Sequence, residues 1–527
     1  MREIDHGMLA SFLSFDSLKL VNMSSKNRFL LLIIVSAVSL AGIFATLNFG
    51  RQPTTDVQQK PLVLYCAASN RAVMESIRAD YEREFGRKVE IQYGPSQTLL
   101  SSIEVTRSGD LFLPADDSYI EMGREKQLIA EVLPIARMQA VVAVKRNNPK
   151  SIEQYSDLLR DEVRLVLASP DSAAIGKVVR EVLSVDNQWE PMASSASALR
   201  ATVNEVANDV TIGAADAAIV YDAVLHTYEE LEYVELPELA DAASQISVGV
   251  IASTDQPQAA LHFARYLSAQ DRGLQHYAEF GFRTQGGDAW SDVPELSIFA
   301  GSMLRPAIEE TIAAFEKREG IKVNRVYNGC GILVAQMKAG QHPDAYFACD
   351  SEFMNQVHDL FPEPVPVSQN ELVILVQKGN PKNIRSLRDL ARKDLRVGIG
   401  HEHQCAMGWI TQNTFREGGI QQKVMPNVTV QSPTGDMLVN QMLTGSLDTA
   451  VAYLSNAAGA SESLDAIRIQ DISCSVATQP WAVAEESKYP ELAGRLFQQI
   501  CSQSSQGIFA AEGFRWQMDA NTENDHQ

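Results

Sequence analysis

The chain has 527 residues, of which 45% are apolar and 21% are charged, and its formal net charge is −21. A soluble chain of this length holds roughly two to four domains, each able to bury a core of its own. The negative charge argues against a nucleic-acid partner, because nucleic acids are normally bound by a basic face. An anionic ligand would therefore have to be held by local dipoles and not by the overall field of the protein.

The N-terminal region has the pattern of a membrane anchor. Phe29 to Phe49 is a 21-residue stretch without a charge, and Lys26 and Arg28 precede it. About 20 apolar residues span a bilayer, and basic residues keep their flank cytoplasmic. A cleaved signal sequence is the alternative interpretation, and Met23 is an alternative start. We predict a cytoplasmic segment over 1–28, a transmembrane anchor in the inner (cytoplasmic) membrane over 29–49, a polar linker over 50–60, and a periplasmic or otherwise extracytoplasmic remainder.

Two stretches of the chain read as copies of one another. At an offset of 234 residues they align without a gap for about 55 residues, and after a two-residue deletion the register resumes at 232. The aligned pairs include Tyr93 with Tyr327, Asp110 with Asp344, Gly176 with Gly408, and Tyr221 with Tyr453. A period this long indicates a duplicated domain, so we predict unit 1 over 61–290 and unit 2 over 296–520.

Within each unit, strand patterns alternate with helix patterns. Leu62 to Cys66 is a continuous apolar run, which is typical of a strand buried on both faces. Val73, Ile77, Tyr81 and Phe85 then recur at the spacing of one helix face. Further strands are predicted over 89–93, 111–113, 141–144, 163–167, 217–221 and 246–251. The alternation predicts an α/β fold with mostly parallel sheets.

Four loops of unit 1 follow predicted strands and contain small or polar residues. In α/β sheets ligands bind at the carboxyl ends of the strands, where loops lead into helix N-termini. The four loops cover 66–70, 94–98, 169–174 and 221–222. Three of them place free backbone N–H groups and hydroxyls at a helix start, which favours anion binding. One serine alone would more simply be a helix cap, but four such loops in order favour a site.

At these loops the sequence resembles the periplasmic molybdate/tungstate-binding proteins of ABC importers. The resemblance covers nearly all of 61–290 and implies the two-lobed type II periplasmic-binding fold, here in two tandem units that each have a ligand cleft. It is carried by Tyr65-Cys66-Ala67-Ala68-Ser69, Ser96-Gln97-Thr98-Leu99, the run from Asp110 to Asp116, and Ala218-Ile219-Val220-Tyr221.

The resemblance also implies a set of ligand-binding residues. In that family a tetrahedral oxyanion is held by serines of the first two loops, by backbone amides of the third loop and by a tyrosine at a strand end. The corresponding residues here are Ser69, Ser96, Asp171, Ser172, Ala173 and Tyr221. Asp171 departs from the pattern, because its carboxylate would repel an anion if it faced the cleft. A site made only of donors suits an unprotonated dianion, whereas monohydrogen phosphate also needs an acceptor.

The loops of unit 2 match in position but not in side chains. Ser302 lies near the first-loop position, Cys330 replaces Ser96, Cys405 stands opposite Ala173, and Tyr453 is kept. A thiol is a poorer donor than a hydroxyl, so we expect a cleft of the same shape with altered or weakened specificity.

Two alternatives for unit 2 remain open. The two cysteines with His401 and His403 would suit a soft or borderline metal, unless the histidines are exposed and Cys330 only packs. A Cys330–Cys405 disulfide would hold the lobes closed.

Enzyme motifs are lacking in the sequence. It contains no G-x-S-x-G elbow, no H-E-x-x-H and no phosphate-binding loop. We therefore predict a protein that is not an enzyme and needs no cofactor: an extracytoplasmic solute-binding protein that captures molybdate or tungstate for an ABC transporter permease. The alternatives are a membrane-tethered oxyanion sensor or scaffold, and a unit 2 that binds a metal or a different ligand.

Overall fold

The computed structural model describes residues 60–284, 286–470 and 472–518. The predicted cytoplasmic segment, the anchor over 29–49 and the linker up to residue 59 lie outside the described residues. No helix in the described ranges is both long enough and apolar enough to cross a membrane.

A ten-stranded sheet runs through unit 1 in the order β2-β1-β3-β9-β4-β7-β5-β6, with β8 and β10 also paired to β4. Its strands are β1 (Leu62–Ala67), β2 (Val89–Gly94), β3 (Leu111–Leu113), β4 (Ile129–Lys145), β5 (Leu165–Ala168), β6 (Ala196–Arg200), β7 (Ala217–Tyr221), β8 (Leu231–Val234), β9 (Ala243–Ile251) and β10 (Arg283–Thr284). Its helices are α1 (Arg71–Phe85), α2 (Ser96–Thr106), α3 (Ser118–Glu125), α4 (Ala174–Val185), α5 (Trp189–Ser195), α6 (Val203–Thr211), α7 (Asp222–Leu225), α8 (Pro257–Ser268) and α9 (Gly273–Glu279).

The long strand β4 divides unit 1 into two lobes. Its residues 129–139 pair with β9, and its residues 140–145 pair with β7 and β8. β1, β2, β3, β9 and β10 therefore belong to lobe 1, and β5 to β8 belong to lobe 2.

The sheet is mixed, so the prediction of mostly parallel sheets is wrong. β1 pairs in parallel with β2 and β3, and β5 pairs in parallel with β6 and β7. β4 is antiparallel to each of its partners, which are β7, β8, β9 and β10. The physical reason is that β4 belongs to the sheets of both lobes. In each lobe, the strands next to it run in the opposite direction.

Unit 2 repeats this topology strand for strand, in the order β12-β11-β13-β19-β14-β17-β15-β16, with β18 and β20 also paired to β14. Its strands are β11 (Glu295–Gly301), β12 (Lys322–Asn328), β13 (Ala345–Phe347), β14 (Val365–Gln377), β15 (Val397–Gly400), β16 (Val428–Ser432), β17 (Thr449–Tyr453), β18 (Leu464–Arg468), β19 (Val476–Val483) and β20 (Arg515–Trp516). Its helices are α10 (Arg305–Glu319), α11 (Cys330–Lys338), α12 (Ser351–Asn355), α13 (Ala406–Glu417), α14 (Gln421–Val424), α15 (Gly435–Leu443), α16 (Leu454–Ala458), α17 (Pro490–Ile500) and α18 (Gln503–Ala511).

The first helix of each unit shows how the sequence produces these elements. Val73, Ile77 and Tyr81 form the predicted face of α1, and all three are buried. The helix ends at Gly86, whose φ of 68° is in the left-handed region, and its N–H donates to the Glu82 carbonyl. Gly320 ends α10 in the same way with a φ of 69°. Glycine is suited to both positions because it adopts positive φ without a steric cost.

A buried ion triad joins the two units. Glu319 of unit 2 is 1% exposed, and its carboxylate accepts hydrogen bonds from Arg265 of unit 1 at 3.0 Å and from Arg495 of unit 2 at 2.8 Å. Burial alone would raise the pKa of Glu319, but the two guanidinium groups hold it below its usual range. The carboxylate is therefore ionised near neutral pH and pairs with both buried cations.

We expect Glu319→Gln to destabilise the protein by about 3–5 kcal/mol, because the substitution removes the carboxylate that pairs with both buried guanidinium groups. Since the folded-state pKa of Glu319 is lowered, its stabilisation is present above the usual carboxyl pKa and is lost as pH falls through the lowered value. The difference from wild type in the free energy of unfolding, measured by denaturant titration, should therefore shrink in acid.

Glu295→Gln is the matched control. Glu295 pairs with Lys322 at 2.8 Å, but both side chains are more than half exposed, so its loss should cost far less than the loss of Glu319. Equal costs for the two variants would contradict the role given to the triad.

Candidate functional site

A small cleft lies between the lobes of unit 1. It is at the carboxyl ends of β1, β2, β5, β6 and β7, where the loops lead into helices. Ala115 and Tyr221 line it together with residues from 67–69, 94–96, 173–175 and 201–203. Every one of these side chains is small, apolar or hydroxyl-bearing, and none carries a charge near neutral pH.

Two buried serine hydroxyls belong to this lining. Ser96, the first residue of α2, accepts the N–H of Ala115 on its Oγ at 3.1 Å. Ser69, in the 3₁₀ turn Ala68–Asn70 before α1, accepts the Nδ2–H of Asn70 at 3.5 Å. A hydroxyl that accepts one hydrogen bond still has its own proton to donate. Both serines can therefore donate to a ligand in the cleft.

Helix starts supply backbone donors to the same cleft. In α2 the first N–H with a backbone partner in the described chain is that of Leu99, which donates to Pro95 at 3.0 Å. In α4 it is that of Lys177, which donates to Ala173 at 3.2 Å. The N–H groups of Ala174 and Ile175 precede it and have no carbonyl partner among the described residues, as expected for a first helical turn. Such groups, with the helix dipole behind them, favour an anion.

Tyr221 lies at the end of β7 and completes the lining from lobe 2. Its hydroxyl is 2.7 Å from Ser244 Oγ. Burial raises the pKa of Tyr221 well above its usual value, so the phenol is neutral. If Ser244 is the donor of this pair, the tyrosine proton is available to a ligand.

The structure does not bring Asp171 or the Ser172 side chain into the cleft. The Asp171 side chain is 90% exposed, and its carboxylate accepts from Arg180 at 3.5 Å. Ser172 Oγ donates to the Ala201 carbonyl at 3.5 Å. The Asp171 carboxylate therefore lies in solvent, where it does not repel an anion in the cleft. On this side the cleft is lined by Ala173 and the start of α4.

Thr202 and Val203 also line the cleft, and this was not predicted from the sequence. Thr202 caps α6, and its Oγ1 accepts the N–H of Glu205 at 3.3 Å while Glu205 accepts the N–H of Thr202 at 3.2 Å. Two signals were available in the sequence. One is the T-x-x-E capping box itself, and the other is Thr434, which stands at the same register in unit 2.

Unit 2 places its corresponding residues similarly, but their partners differ. Cys330 is the first residue of α11, and its Sγ accepts the N–H of Cys349 at 3.1 Å, as Ser96 accepts that of Ala115. Met303 is buried at the register of Ser69, and Ser302 is the residue before it. The Cys405 thiol is 3.5 Å from the Ser432 carbonyl. The buried hydroxyl of Tyr453, at the end of β17, has no hydrogen-bond partner in the described chain.

The backbone of unit 2 closes its own cleft. The N–H of Gly331, in the first turn of α11, donates to the Gln404 carbonyl of the other lobe at 3.1 Å. A Cβ at residue 331 would overlap the His403 carbonyl, and a Cβ at residue 329 would overlap the carbonyls of Gln404 and Pro433. Unit 1 has Pro95 and Gln97 at these two registers. Two glycines therefore allow a lobe contact that larger residues would prevent.

The expected cluster of thiols and imidazoles is not assembled as a metal site. Within the described residues, no group of three or more His, Cys, Asp or Glu side chains is arranged to hold a metal ion. The His401 and His403 rings are 6.2 Å apart, and His403 is exposed. The Cys405 thiol turns instead to backbone carbonyls. The alternative that these loops bind a metal therefore gains no support from the described residues.

Comparison with known proteins places this architecture in a family. The profile of the bacterial extracellular solute-binding proteins matches residues 62–283 and again 296–515. The chain belongs to this family. Because the profile matches twice, the internal repeat predicted from sequence is confirmed, and the family description implies an extracytoplasmic location.

Relatives of this solute-binding protein include carriers of different anions. The molybdate-binding protein ModA of Mycobacterium bovis is 26% identical over 221 residues, which cover 41% of this chain and 83% of that protein. The solved periplasmic molybdate-binding protein of Azotobacter vinelandii is 15% identical, with 43% of this chain and 100% of that chain covered and a TM-score of 0.38. The solved sulfate-binding protein SubI of Mycobacterium tuberculosis is 17% identical, with 42% and 86% covered and a TM-score of 0.37. All three are named as binding proteins and not as enzymes.

We expect Gly331→Ala to destabilise unit 2 by about 1–3 kcal/mol, because the added methyl group overpacks the contact between its lobes. Gly494→Ala is the control, since residue 494 is in the middle of α17 with no atom within 4 Å of an added Cβ. The control should be neutral or stabilising by about 0.5–1 kcal/mol. Thermal unfolding of the two variants would measure the difference, and equal melting temperatures would contradict a closed cleft.

Proposed function

We propose that unit 1, over 61–290, captures molybdate or tungstate and that the chain delivers it to the permease of an ABC importer. The observation that supports this proposal is the meeting of two serine hydroxyls and the free N–H groups of helix starts in one uncharged cleft. Ser69, Ser96, Ala173 with the start of α4, and Tyr221 would bind the oxygens.

The chemistry of the lining favours a fully ionised dianion. Hydrogen bonds from neutral donors to a charged oxygen are short and strong, and neutral donors avoid the cost of burying a counter-charge. No carboxylate lines the cleft, so a protonated oxyanion such as monohydrogen phosphate would find no charged acceptor for its proton. The similarity to ModA proteins supports molybdate among the remaining dianions, while sulfate is the competitor that must be separated by size.

We further propose that unit 2 does not carry a second oxyanion. The Gln404 carbonyl takes the Gly331 N–H that would otherwise face a ligand, and Met303 stands where unit 1 has a serine hydroxyl. A carbonyl oxygen at this position would also repel an anion. Unit 2 would then act as a scaffold for unit 1, and each chain would bind one oxyanion.

The proposed anchor over 29–49 would keep the binding protein at the membrane that contains the permease. N-terminal sequencing of the mature protein tests it, since an anchored chain keeps these residues. Soluble protein that begins between residues 41 and 52 would rule the anchor out in favour of a cleaved signal.

For the full chain titrated calorimetrically with molybdate, tungstate, sulfate and phosphate, we expect binding of one molybdate or tungstate per chain. Ser69→Ala, Ser96→Ala and Tyr221→Phe each remove one donor to a charged ligand. Each should weaken binding about ten- to a hundredfold, because such a hydrogen bond contributes roughly 1.5–3 kcal/mol.

Ser101→Ala is the matched control, since Ser101 is an exposed serine on the same helix, α2. It should leave the dissociation constant unchanged, as should Cys330→Ala in unit 2. Unchanged affinity in Ser96→Ala would show that the site is wrong, and two bound oxyanions per chain would show that unit 2 is a second carrier.

A further inference from the structure

Three residues of the unit 1 cleft are replaced by cysteine in unit 2. Ser96, Ala115 and Ala173 all line the unit 1 cleft. At the offsets of the repeat, the corresponding residues are Cys330, Cys349 and Cys405. Unit 1 shows that serine and alanine are compatible with the fold at these three positions. The three thiols of unit 2 therefore need a chemical explanation.

Two of the three thiols are in direct contact. Cys330 Sγ and Cys349 Sγ are 2.6 Å apart, which is closer than non-bonded sulfur atoms approach. The N–H of Cys349 also donates to Cys330 Sγ at 3.1 Å. Both residues are in lobe 1 of unit 2, at the start of α11 and just after β13, and both are buried.

Residue 301 also differs between the units, and this difference makes room for Cys330 and Cys349. Gly301 stands at the end of β11, where unit 1 has Ala67. A Cβ at residue 301 would overlap the Cys349 sulfur and would lie 3.2 Å from the Cys330 sulfur. Unit 1 has a methyl group at residue 67 and no sulfur at residue 115, whereas unit 2 has the sulfur and lacks the methyl group. The loss of the methyl group at residue 301 therefore provides the volume that the Cys349 sulfur occupies.

Cys405 is placed differently. It belongs to lobe 2, and its thiol is directed at the carbonyls of His401 and Ser432, at 3.6 and 3.5 Å. Its single S–H can donate to either carbonyl, so the thiol has a partner within its own lobe. The Cys330–Cys405 disulfide, one of the alternatives left open by the sequence, is therefore not the pairing that the geometry favours.

We propose that Cys330 and Cys349 form a disulfide within lobe 1 of unit 2, and that Cys405 stays reduced. The oxidant would be a disulfide of an exported thiol oxidase, which acts before the cysteines are buried. Thiol–disulfide exchange passes through a mixed disulfide. The Cys330–Cys349 S–S bond forms and the S–S bond of the oxidant breaks. Two electrons and two protons pass from the cysteines to the oxidant, which becomes a dithiol.

The proposed disulfide removes a hydrogen-bond donor from the start of α11. A disulfide has no S–H, so the residue that replaces Ser96 loses its only side-chain donor. The bond also ties the first residue of α11 to the end of β13. Unit 2 would thereby be stabilised at the place where unit 1 binds its ligand. This inference concerns unit 2 alone and does not depend on oxyanion binding by unit 1.

Peptide mapping of the full chain without reductant tests the pairing. Free thiols are alkylated in denaturant, and trypsin then cuts after Arg325, Lys338 and Lys378. Cys330 and Cys349 fall on separate peptides, 326–338 and 339–378, and Cys405 falls on 397–416. We expect 326–338 linked to 339–378, with 397–416 fully alkylated. A link between 326–338 and 397–416, or alkylation of both Cys330 and Cys349, would overturn the proposal.

Variants give an independent measurement. Dithiothreitol should lower the melting temperature of the wild-type chain by roughly 5–10 °C. Cys349→Ala, which restores the residue of unit 1, should abolish this sensitivity, and Cys405→Ala should keep it. If Cys405→Ala lost the sensitivity to reductant instead, the disulfide would join the lobes and the proposed pairing would be wrong.

Discussion

A doubly charged anion that leaves water must be matched donor for donor by the protein, because an unmatched buried charge costs several kcal/mol. Under the proposed function, unit 1 would meet this constraint without a single charged side chain in the cleft. Parallel strands end at one edge, so the helices that follow begin side by side and direct their free N–H groups into one space. Ser69 and Ser96 add hydroxyls whose oxygens already accept hydrogen bonds from the protein.

The same scaffold in unit 2, for which we propose no oxyanion, differs from unit 1 at few positions. Gly329 and Gly331 allow the other lobe to approach until the Gln404 carbonyl accepts a helix-start N–H. The Gly331 N–H is then satisfied by the chain itself. Meanwhile the buried triad around Glu319 joins the units. The two clefts thus differ, since a backbone hydrogen bond crosses the one in unit 2, whereas a side-chain hydrogen bond from Lys177 to Ser118 joins the lobes of unit 1. Both units belong to one compact body over 61–527.

The internal repeat and the strand-to-helix patterns were sufficient to predict two tandem α/β units, because long apolar runs such as Leu62 to Cys66 have few alternatives. The direction of β4 was not predictable, since an apolar strand has the same pattern whether it is parallel or antiparallel. The loops that line the cleft were found from Ser69, Ser96 and Tyr221. The outward turn of Asp171 and the contact of Cys330 with Cys349 depend on side-chain direction and packing across distant segments, which periodicity does not contain.

The most direct test of this account is the structure of the protein crystallised with tungstate, whose strong anomalous scattering identifies each bound ion. The account predicts one tungsten peak in unit 1, within hydrogen-bonding reach of Ser69, Ser96, the first turn of α4 and Tyr221, and none in the cleft of unit 2. A peak between Cys330 and Cys405, or an empty cleft in unit 1 at saturating tungstate, would contradict it.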